Sequence, residues 1–273
     1  MRELAVSPRA TFRPVTPAVI VGVLAAAAAG WFVLTERMAG MDSGPGGDPG
    51  ALGWFVGTWA VMTVAMMLPA AAPAVMRLVR GRRAHAPEAA VLFLVGYGAV
   101  WMLAGLAGYS LVQAGRDLHI DALAWSSAGR YVAGASVVAA GLYQLTAAKH
   151  RWLARCTAPL HSSSEGISSA LRVGTEHGVC CVACCGTLMA ALYALGMMSI
   201  TWMAVVTVLI VTERLVPRPA LAVHAVAAVL VVLGVALVLS PTAIPALTIP
   251  TKARPMTMGM RGPAGDRPFA PGV

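Results

Sequence analysis

Four of the five cysteines in this chain occur within six consecutive residues, in the stretch CCVACC at positions 180–185. On a helix, which turns by about 100° per residue, these thiols and a nearby imidazole fall within a sector of about 140°. One helix face would therefore present ligands that suit Cu(I), zinc or iron–sulfur chemistry. The members of this set are His177, Cys180, Cys181, Cys184 and Cys185.

Three interpretations of this cluster compete. Free cysteine packs as a small hydrophobe, which is the best explanation for a single one. Cys181 and Cys184 have the spacing of a redox dithiol, and the adjacent Cys184–Cys185 pair could resolve a mixed disulfide. A soft-metal site is the third interpretation. Four thiols on one face favour metal or redox chemistry over packing.

A second set of candidate ligands lies in WAVMTVAMMLPAAAP, at positions 59–73. Met62 and Met66 fall on one stripe at helical spacing, with Met67 beside them, and thioethers select Cu(I) over harder cations. Methionine stripes more often serve packing, but Pro69 and Pro73 each remove a backbone hydrogen bond. We expect these prolines to kink the helix and to free carbonyl groups that need a partner.

Glu213 lies near the end of another apolar segment, on the face that carries Trp202. It could pair with Arg214 or Arg218 as an interfacial carboxylate. Alternatively, it faces the cysteine helix, as a hard co-ligand or as a proton acceptor when thiols ionise on metal binding. The sequence leaves both roles open.

The fifth cysteine, Cys156, follows Lys149 and His150 in a basic stretch that we predict to be a cytoplasmic loop. A thiol among basic residues is readily metallated or oxidised. We therefore expect Cys156 to lie on the same side of the membrane as the other four thiols.

The composition indicates an integral membrane protein. The 273 residues are 58% hydrophobic and 11% charged, against about 25% charged residues in soluble proteins. The net charge of +9 comes mostly from basic residues beside apolar segments, without the aromatic platform of a nucleic-acid-binding protein. We therefore expect a lipid bilayer around the chain and no nucleic acid partner.

A bilayer-spanning helix needs about 20 apolar residues. We predict an all-α, polytopic transmembrane helix bundle with seven spans and a proline-kinked second helix. Six spans is the alternative, because only three residues separate the fifth and sixth segments, which form a tight hairpin or one bent pair. The predicted spans are 17–34, 51–76, 89–112, 130–148, 178–196, 199–215 and 219–240.

Basic residues are concentrated in alternate connections between these segments, which predicts a cytoplasmic N-terminus. The expected organisation is a cytoplasmic segment 1–16, a transmembrane domain 17–240 and a disordered tail 241–273 that is rich in proline and glycine. We find no P-loop, no HExxH motif and no Ser/His/Asp constellation. No residue is predicted to be catalytic, and binding is favoured over an enzymatic activity.

These motifs resemble a family of bacterial predicted metal-binding integral membrane proteins, whose label links it to copper supply for polyphenol oxidases. The resemblance covers residues 55–217. Four motifs carry it. The first is WAVMTVAMMLP at 59–69, and the second is YQLT at 143–146, followed by Lys149 and Cys156. The third consists of Cys181, Cys184, Cys185, Leu188 and Met189, and the fourth of Met198, Trp202, Met203, Glu213, Arg214 and Pro217. Trp152 stands where the family commonly has another cysteine, and Cys180 stands where an aromatic residue is expected.

The resemblance implies metal binding in the bacterial cytoplasmic membrane. We predict that the protein handles Cu(I), with zinc as the alternative metal, and that its partner is a copper-dependent enzyme or a metallochaperone. Transport of copper, a membrane thiol–disulfide oxidoreductase and a structural subunit of a membrane complex are the alternatives. The predicted metal ligands are Cys181, Cys184, Cys185, Cys180, Met62, Met66, Met67, His177, Glu213 and Cys156.

Overall fold

The computed structural model describes residues 15–39, 50–81, 85–117, 129–158, 167–197, 199–216 and 219–240. These residues form helices and no strand, which confirms the predicted all-α class. The helices are α1 (Val15–Met38), α2 (Leu52–Met62), α3 (Leu68–Gly81), α4 (Ala86–Asp117), α5 (Arg130–Gln144), α6 (Ala147–Thr157), α7 (Ile167–Gly196), α8 (Ile200–Leu215) and α9 (Pro219–Leu239). Residues 1–14 and the predicted tail 241–273 lie outside the described part of the chain.

Several helices are long and apolar enough to cross a membrane, as a transmembrane bundle requires. By length and composition, five stretches within the described residues qualify: Ala18–Met38, Leu52–Gly81, Ala86–Gly115, Ser168–Gly196 and Ala220–Leu239. The bent pair of α5 and α6 raises this number to six. The predicted sixth segment is α8, whose 16 residues are fewer than the roughly 20 that a full span needs.

The stretch after α5 differs most from its prediction. We predicted a loop, but Ala147–Thr157 form helix α6, which is bent by 65° from α5. Thr146 caps this helix, since its hydroxyl accepts a hydrogen bond from the backbone N–H of Lys149 at 3.2 Å. Lys149, Leu153 and Cys156 recur at helical spacing and are all buried. The basic stretch therefore forms an amphipathic helix, which buries one face against the bundle.

Helices α7 and α8 form the predicted tight hairpin. Gly196 has a φ of 108°, a left-handed conformation that glycine adopts without a steric penalty at the end of a helix. Ser199 caps α8, since its hydroxyl accepts a hydrogen bond from the Trp202 N–H at 3.5 Å. Arg214 on the last turn of α8 contacts Cys184 in the middle of α7. The two helices therefore run antiparallel and are not one bent span.

The predicted second helix contains an irregularity where its prolines require one. Thr63–Met67 form a π-helical turn between α2 and α3, just before Pro69. Pro73 lies inside α3. A proline cannot donate to the preceding turn of a helix, and a widened turn is one way to accommodate this. The proline-induced distortion thus takes the form of a π-helical turn within one long span.

Helix α4 packs closely along α7 because small residues face backbone atoms of the partner helix. Gly174 faces the carbonyl of Phe93, and Gly96 faces the carbonyl of Leu171. A Cβ atom at either glycine would collide with that carbonyl. Such small-residue contacts are typical of helix pairs in membranes. They fix the position of α7 along α4, and therefore the position of the α7 cysteines within the bundle.

We expect Gly174→Ala to lower the melting temperature of the detergent-solubilised protein, because overpacking of this kind costs about 1–3 kcal/mol. Gly98→Ala on α4 is the control, since a Cβ atom there meets nothing within 4 Å. Alanine is the better helix former by up to about 1 kcal/mol, so the control should be unchanged or slightly stabilised. Thermal unfolding followed by circular dichroism makes the comparison. Equal melting temperatures for both variants would contradict the close contact.

Candidate metal centre

Three of the predicted thiols point from α7 into the core of the bundle. Cys181, Cys184 and Cys185 have exposed fractions of 1%, 0% and 0%. The Cys184 sulfur lies 3.4 Å from the Cys185 sulfur and 3.7 Å from the sulfur of Cys156 on α6. All five cysteines are free thiols. The structure therefore brings the distant fifth cysteine to the cluster on α7.

Arg214 on α8 reaches into the same cluster. Its Nη2 atom lies 3.1 Å from the Cys181 sulfur, 3.1 Å from the Cys184 sulfur and 3.7 Å from the Cys185 sulfur. One nitrogen of the guanidinium thus donates to three sulfur atoms, and donors that carry a charge make the stronger hydrogen bonds. The sequence suggested Arg214 only as an orienting charge or as a partner of Glu213.

Tyr97 of α4 connects the thiols with His177 and with the second predicted span. Its hydroxyl lies 3.2 Å from the Cys181 sulfur and donates to the Met67 carbonyl oxygen at 3.4 Å. The His177 ring packs against Tyr97 and Phe93, with centroids 5.9 Å and 5.6 Å away. His177 is buried, and its Nε2 atom has no hydrogen-bond partner within the described chain. The imidazole therefore lies beside the cluster with one polar atom unused.

Glu213 forms a buried ion pair that the sequence did not suggest. Lys149 Nζ donates to Glu213 Oε2 and to the Cys184 carbonyl oxygen, each at 2.6 Å. Neither side chain of the ion pair is exposed. Glu213 Oε1 has no hydrogen-bond partner in the part of the chain that the structure describes. The carboxylate thus faces the cysteine helix, with Lys149 between it and the backbone of α7.

The three candidate methionines are completely buried. Met62 ends α2, and Met66 and Met67 lie on the π-helical turn. They belong to the same continuous cluster of buried side chains as Cys181, Cys184 and Cys185. Through Tyr97, the backbone of the π-helical turn is joined to the thiol of Cys181. The structure therefore brings the methionine-bearing helix into the core that holds the thiols.

Cys180 occupies a different position from the other α7 cysteines. It is only partly buried, whereas the other four cysteines are buried. Its side chain interacts with the thiol of Cys156, and Cys156 in turn contacts Cys184. A row of three thiols therefore leads from a partly exposed position into the core.

The donor set suits a soft cation, although it is not arranged around one. Among the described residues, no group of three or more His, Cys, Asp or Glu side chains has a geometry that could hold a metal ion. The Nη2 atom of Arg214 instead lies 3.1, 3.1 and 3.7 Å from the sulfurs of Cys181, Cys184 and Cys185. Thiols and thioethers in a buried site favour Cu(I) over hard cations. The residues therefore fit Cu(I) chemically, and loading would require the sulfurs and Arg214 to move.

Sequence reasoning did not assign Arg214, Lys149 or Tyr97 to the site. Arg214 lies four residues after the buried Ile210, so helical spacing could have placed it on the inward face of α8. Lys149 lies seven residues before Cys156. This spacing places both residues on one face only if the stretch is a helix. For Tyr97 the sequence contains no signal, because only packing of α4 on α7 brings it to the thiols.

We expect Lys149→Met to destabilise the protein strongly, because it leaves the Glu213 carboxylate buried without its partner, at a cost of about 3–5 kcal/mol. The double variant Lys149→Met/Glu213→Gln removes both charges and should recover most of that loss. Melting temperatures of the metal-free protein in detergent give the comparison. Arg172→Gln breaks an ion pair that is 62% and 65% exposed and should have little effect. A double variant no more stable than the single one would contradict the ion pair.

A family model described as "PpoB2: Copper chaperone" matches residues 56–237. No curated protein and no solved structure matches the chain. The matched region contains the π-helical turn, α6 with Lys149 and Cys156, and the α7–α8 hairpin that carries the thiols and Arg214. It covers well over half of the chain and confirms the family resemblance, so the protein belongs to the PpoB2 copper chaperone family.

Proposed function

We propose that this protein is an integral membrane copper chaperone that holds Cu(I) at the thiols of α7. The observation that carries the proposal is the convergence of thiols from two helices: Cys156 from α6, and Cys181, Cys184 and Cys185 from α7. Membership of a copper chaperone family supports copper as the cargo. We assign Cys181, Cys184 and Cys185 as the ligands that hold it.

Cu(I) fits this site better than zinc does. Structural zinc sites are almost always tetrahedral, with four ligands at fixed distances. Here the sulfurs share a core with buried thioethers, and thioethers are soft ligands that favour Cu(I). Zinc is the alternative, and Cys156 would then complete a four-thiolate set.

The remaining candidates have supporting roles in this proposal. The thioethers of Met62, Met66 and Met67 are neutral donors in the same buried cluster as the thiols. Tyr97 connects the backbone of Met67 with the thiol of Cys181. His177 has an unused buried nitrogen one helical turn from Cys181. We assign Glu213 to charge balance. Its carboxylate neutralises the ammonium of Lys149, so that this pair adds no net charge next to the copper ion.

We propose that copper enters along the row of Cys180, Cys156 and Cys184. Cys180 is the partly exposed end of the row, and Cys156 lies between it and the buried thiols. Thiolates exchange a soft metal through shared intermediates, so neighbouring sulfurs provide successive resting places. Cys180 and Cys156 are therefore transfer ligands, and the three deeper cysteines are holding ligands.

We further propose a location in the bacterial cytoplasmic membrane, with segment 1–16 in the cytoplasm, domain 17–240 in the membrane and tail 241–273 outside. The basic residues in alternate connections support the cytoplasmic N-terminus, and an odd number of spans would then leave the tail outside. Arg77, next to a basic connection, donates to the carbonyl of Thr157 at the end of α6. The thiol entrance would then face the cytoplasm, where a metallochaperone donates copper, and a copper-dependent enzyme is the recipient.

Reduced, anaerobic wild-type protein should contain about one copper per chain after exposure to Cu(I), because three thiolates suffice to hold it. The triple variant Cys181→Ser/Cys184→Ser/Cys185→Ser should contain almost none. Elemental analysis after desalting measures both. Ala170→Ser/Ala191→Ser, which adds hydroxyls at buried α7 positions outside the thiol cluster, controls for polar substitution in the core.

Three results would contradict this proposal. Absence of copper from folded wild-type protein would remove the copper assignment. A trapped mixed disulfide that cycles with a thiol donor would favour the oxidoreductase, and equal behaviour of all variants would favour a structural subunit.

Cys180→Ser should slow the loading of copper several-fold from a Cu(I)-loaded chelator without changing the final copper content, because it removes only the outermost transfer ligand. Cys185→Ser should instead lower the affinity for Cu(I), because it removes a holding ligand. Stopped-flow loading and equilibrium competition distinguish the two effects. Unchanged loading by Cys180→Ser would contradict the proposed entrance.

A further inference from the structure

The guanidinium of Arg214 is held by sulfur atoms. Its Nη2 atom donates to Cys181, Cys184 and Cys185, at 3.1, 3.1 and 3.7 Å. The adjacent carboxylate, Glu213, is bound to Lys149. Within the described residues, Arg214 has no carboxylate partner, and its Nε atom has no hydrogen bond. The three thiols are therefore the contacts that hold this cation inside the bundle.

Nη2 lies against the same three sulfurs that would hold a metal ion. A metal ion bound by three thiolates lies about 2.3 Å from each sulfur and between them, whereas Nη2 lies 3.1, 3.1 and 3.7 Å from the three sulfurs. A copper ion bound there would lie close to the guanidinium, and two cations repel each other strongly in a medium of low dielectric constant. Arg214 and a metal ion therefore compete for these sulfurs.

We infer that Arg214 is a displaceable cation, which is bound to the copper-holding thiols in the metal-free protein and withdraws when Cu(I) binds. This inference rests on the proposed function. On loading, N–H···S hydrogen bonds are exchanged for Cu–S bonds, each thiol that becomes a thiolate ligand gives its proton to water, and copper keeps its oxidation state because no electron is transferred. On release, the thiolates take up protons again and the guanidinium returns to the sulfurs as copper leaves.

The surroundings of Arg214 permit such a movement. The side chain is only partly buried and belongs to the last turn of α8. Glu213, one residue earlier, is buried and tied to Lys149 on α6. The ion pair thus keeps the end of α8 in place while the neighbouring arginine side chain changes its rotamer. The backbone of the site does not need to unfold.

A resident cation has a direct consequence for a chaperone. The free energy of the Arg214–sulfur contacts is subtracted from the free energy of copper binding, because those contacts must break first. Copper is then held less tightly than bare thiols would hold it. The returning guanidinium also stabilises the emptied site, which favours transfer to a recipient.

Arg214→Gln tests the inference, because it keeps a polar side chain of similar shape and removes the charge. We expect its affinity for Cu(I) to rise by about tenfold or more, as loss of a competing charged hydrogen bond predicts. Transfer of copper to a chelator should slow in proportion. Competition with a Cu(I) chelator of known affinity and the rate of chelator-driven release measure both effects in the full-length protein in detergent.

Arg172→Gln is the matched control, since it removes the same charge from an exposed position on α7, and its copper affinity should equal that of the wild type. A loss of affinity in Arg214→Gln, or an unchanged affinity, would overturn the inference while leaving the copper site intact. A gain that persists in Arg214→Gln/Cys184→Ser would also overturn it, because the gain would then not involve the thiols. Failure of every variant and of the wild type to bind copper would overturn the proposed function together with the inference.

Discussion

The ammonium group of Lys149 joins three helices at one point, and the arrangement of the thiols depends on it. From α6 it donates to a carboxylate on α8 and to a backbone carbonyl on α7. A buried cation is tolerated only where such partners surround it. The bend between α5 and α6 and the inward face of α6, which also carries Cys156, bring Lys149 to these partners.

Polar groups in the core of the bundle must find partners within the protein, since a bilayer offers no water to replace them. Two neighbouring carbonyls of α7 illustrate this: Ala183 accepts from the Tyr143 hydroxyl at 2.7 Å, and Cys184 accepts from Lys149 at 2.6 Å. The backbone of the thiol-bearing turn is thus held from outside its own helix. Such support fixes the backbone that carries the sulfurs.

The site combines a backbone that several contacts hold with a side chain that sulfur atoms hold. The ion pair of Lys149 and Glu213 and the close packing of α4 on α7 hold the backbone. The Arg214 side chain is only partly buried, and hydrogen bonds to sulfur hold its guanidinium against the thiols. In the copper chaperone that we propose, this division would favour release, because a rigid pocket with no competitor would retain its cargo.

The sequence by itself determined the helical membrane class, the family and the residue types of the site. Apolar segments of spanning length and four thiols at helical spacing are local patterns, and local patterns can be read along one helix. Only the tertiary structure decided which groups meet the thiols. The predicted loop at Lys149 is an amphipathic helix, whose buried face pairs Lys149 with Glu213, and Arg214 is a thiol partner because α8 folds back along α7. Those contacts join residues far apart in the chain, and no spacing within one segment encodes them.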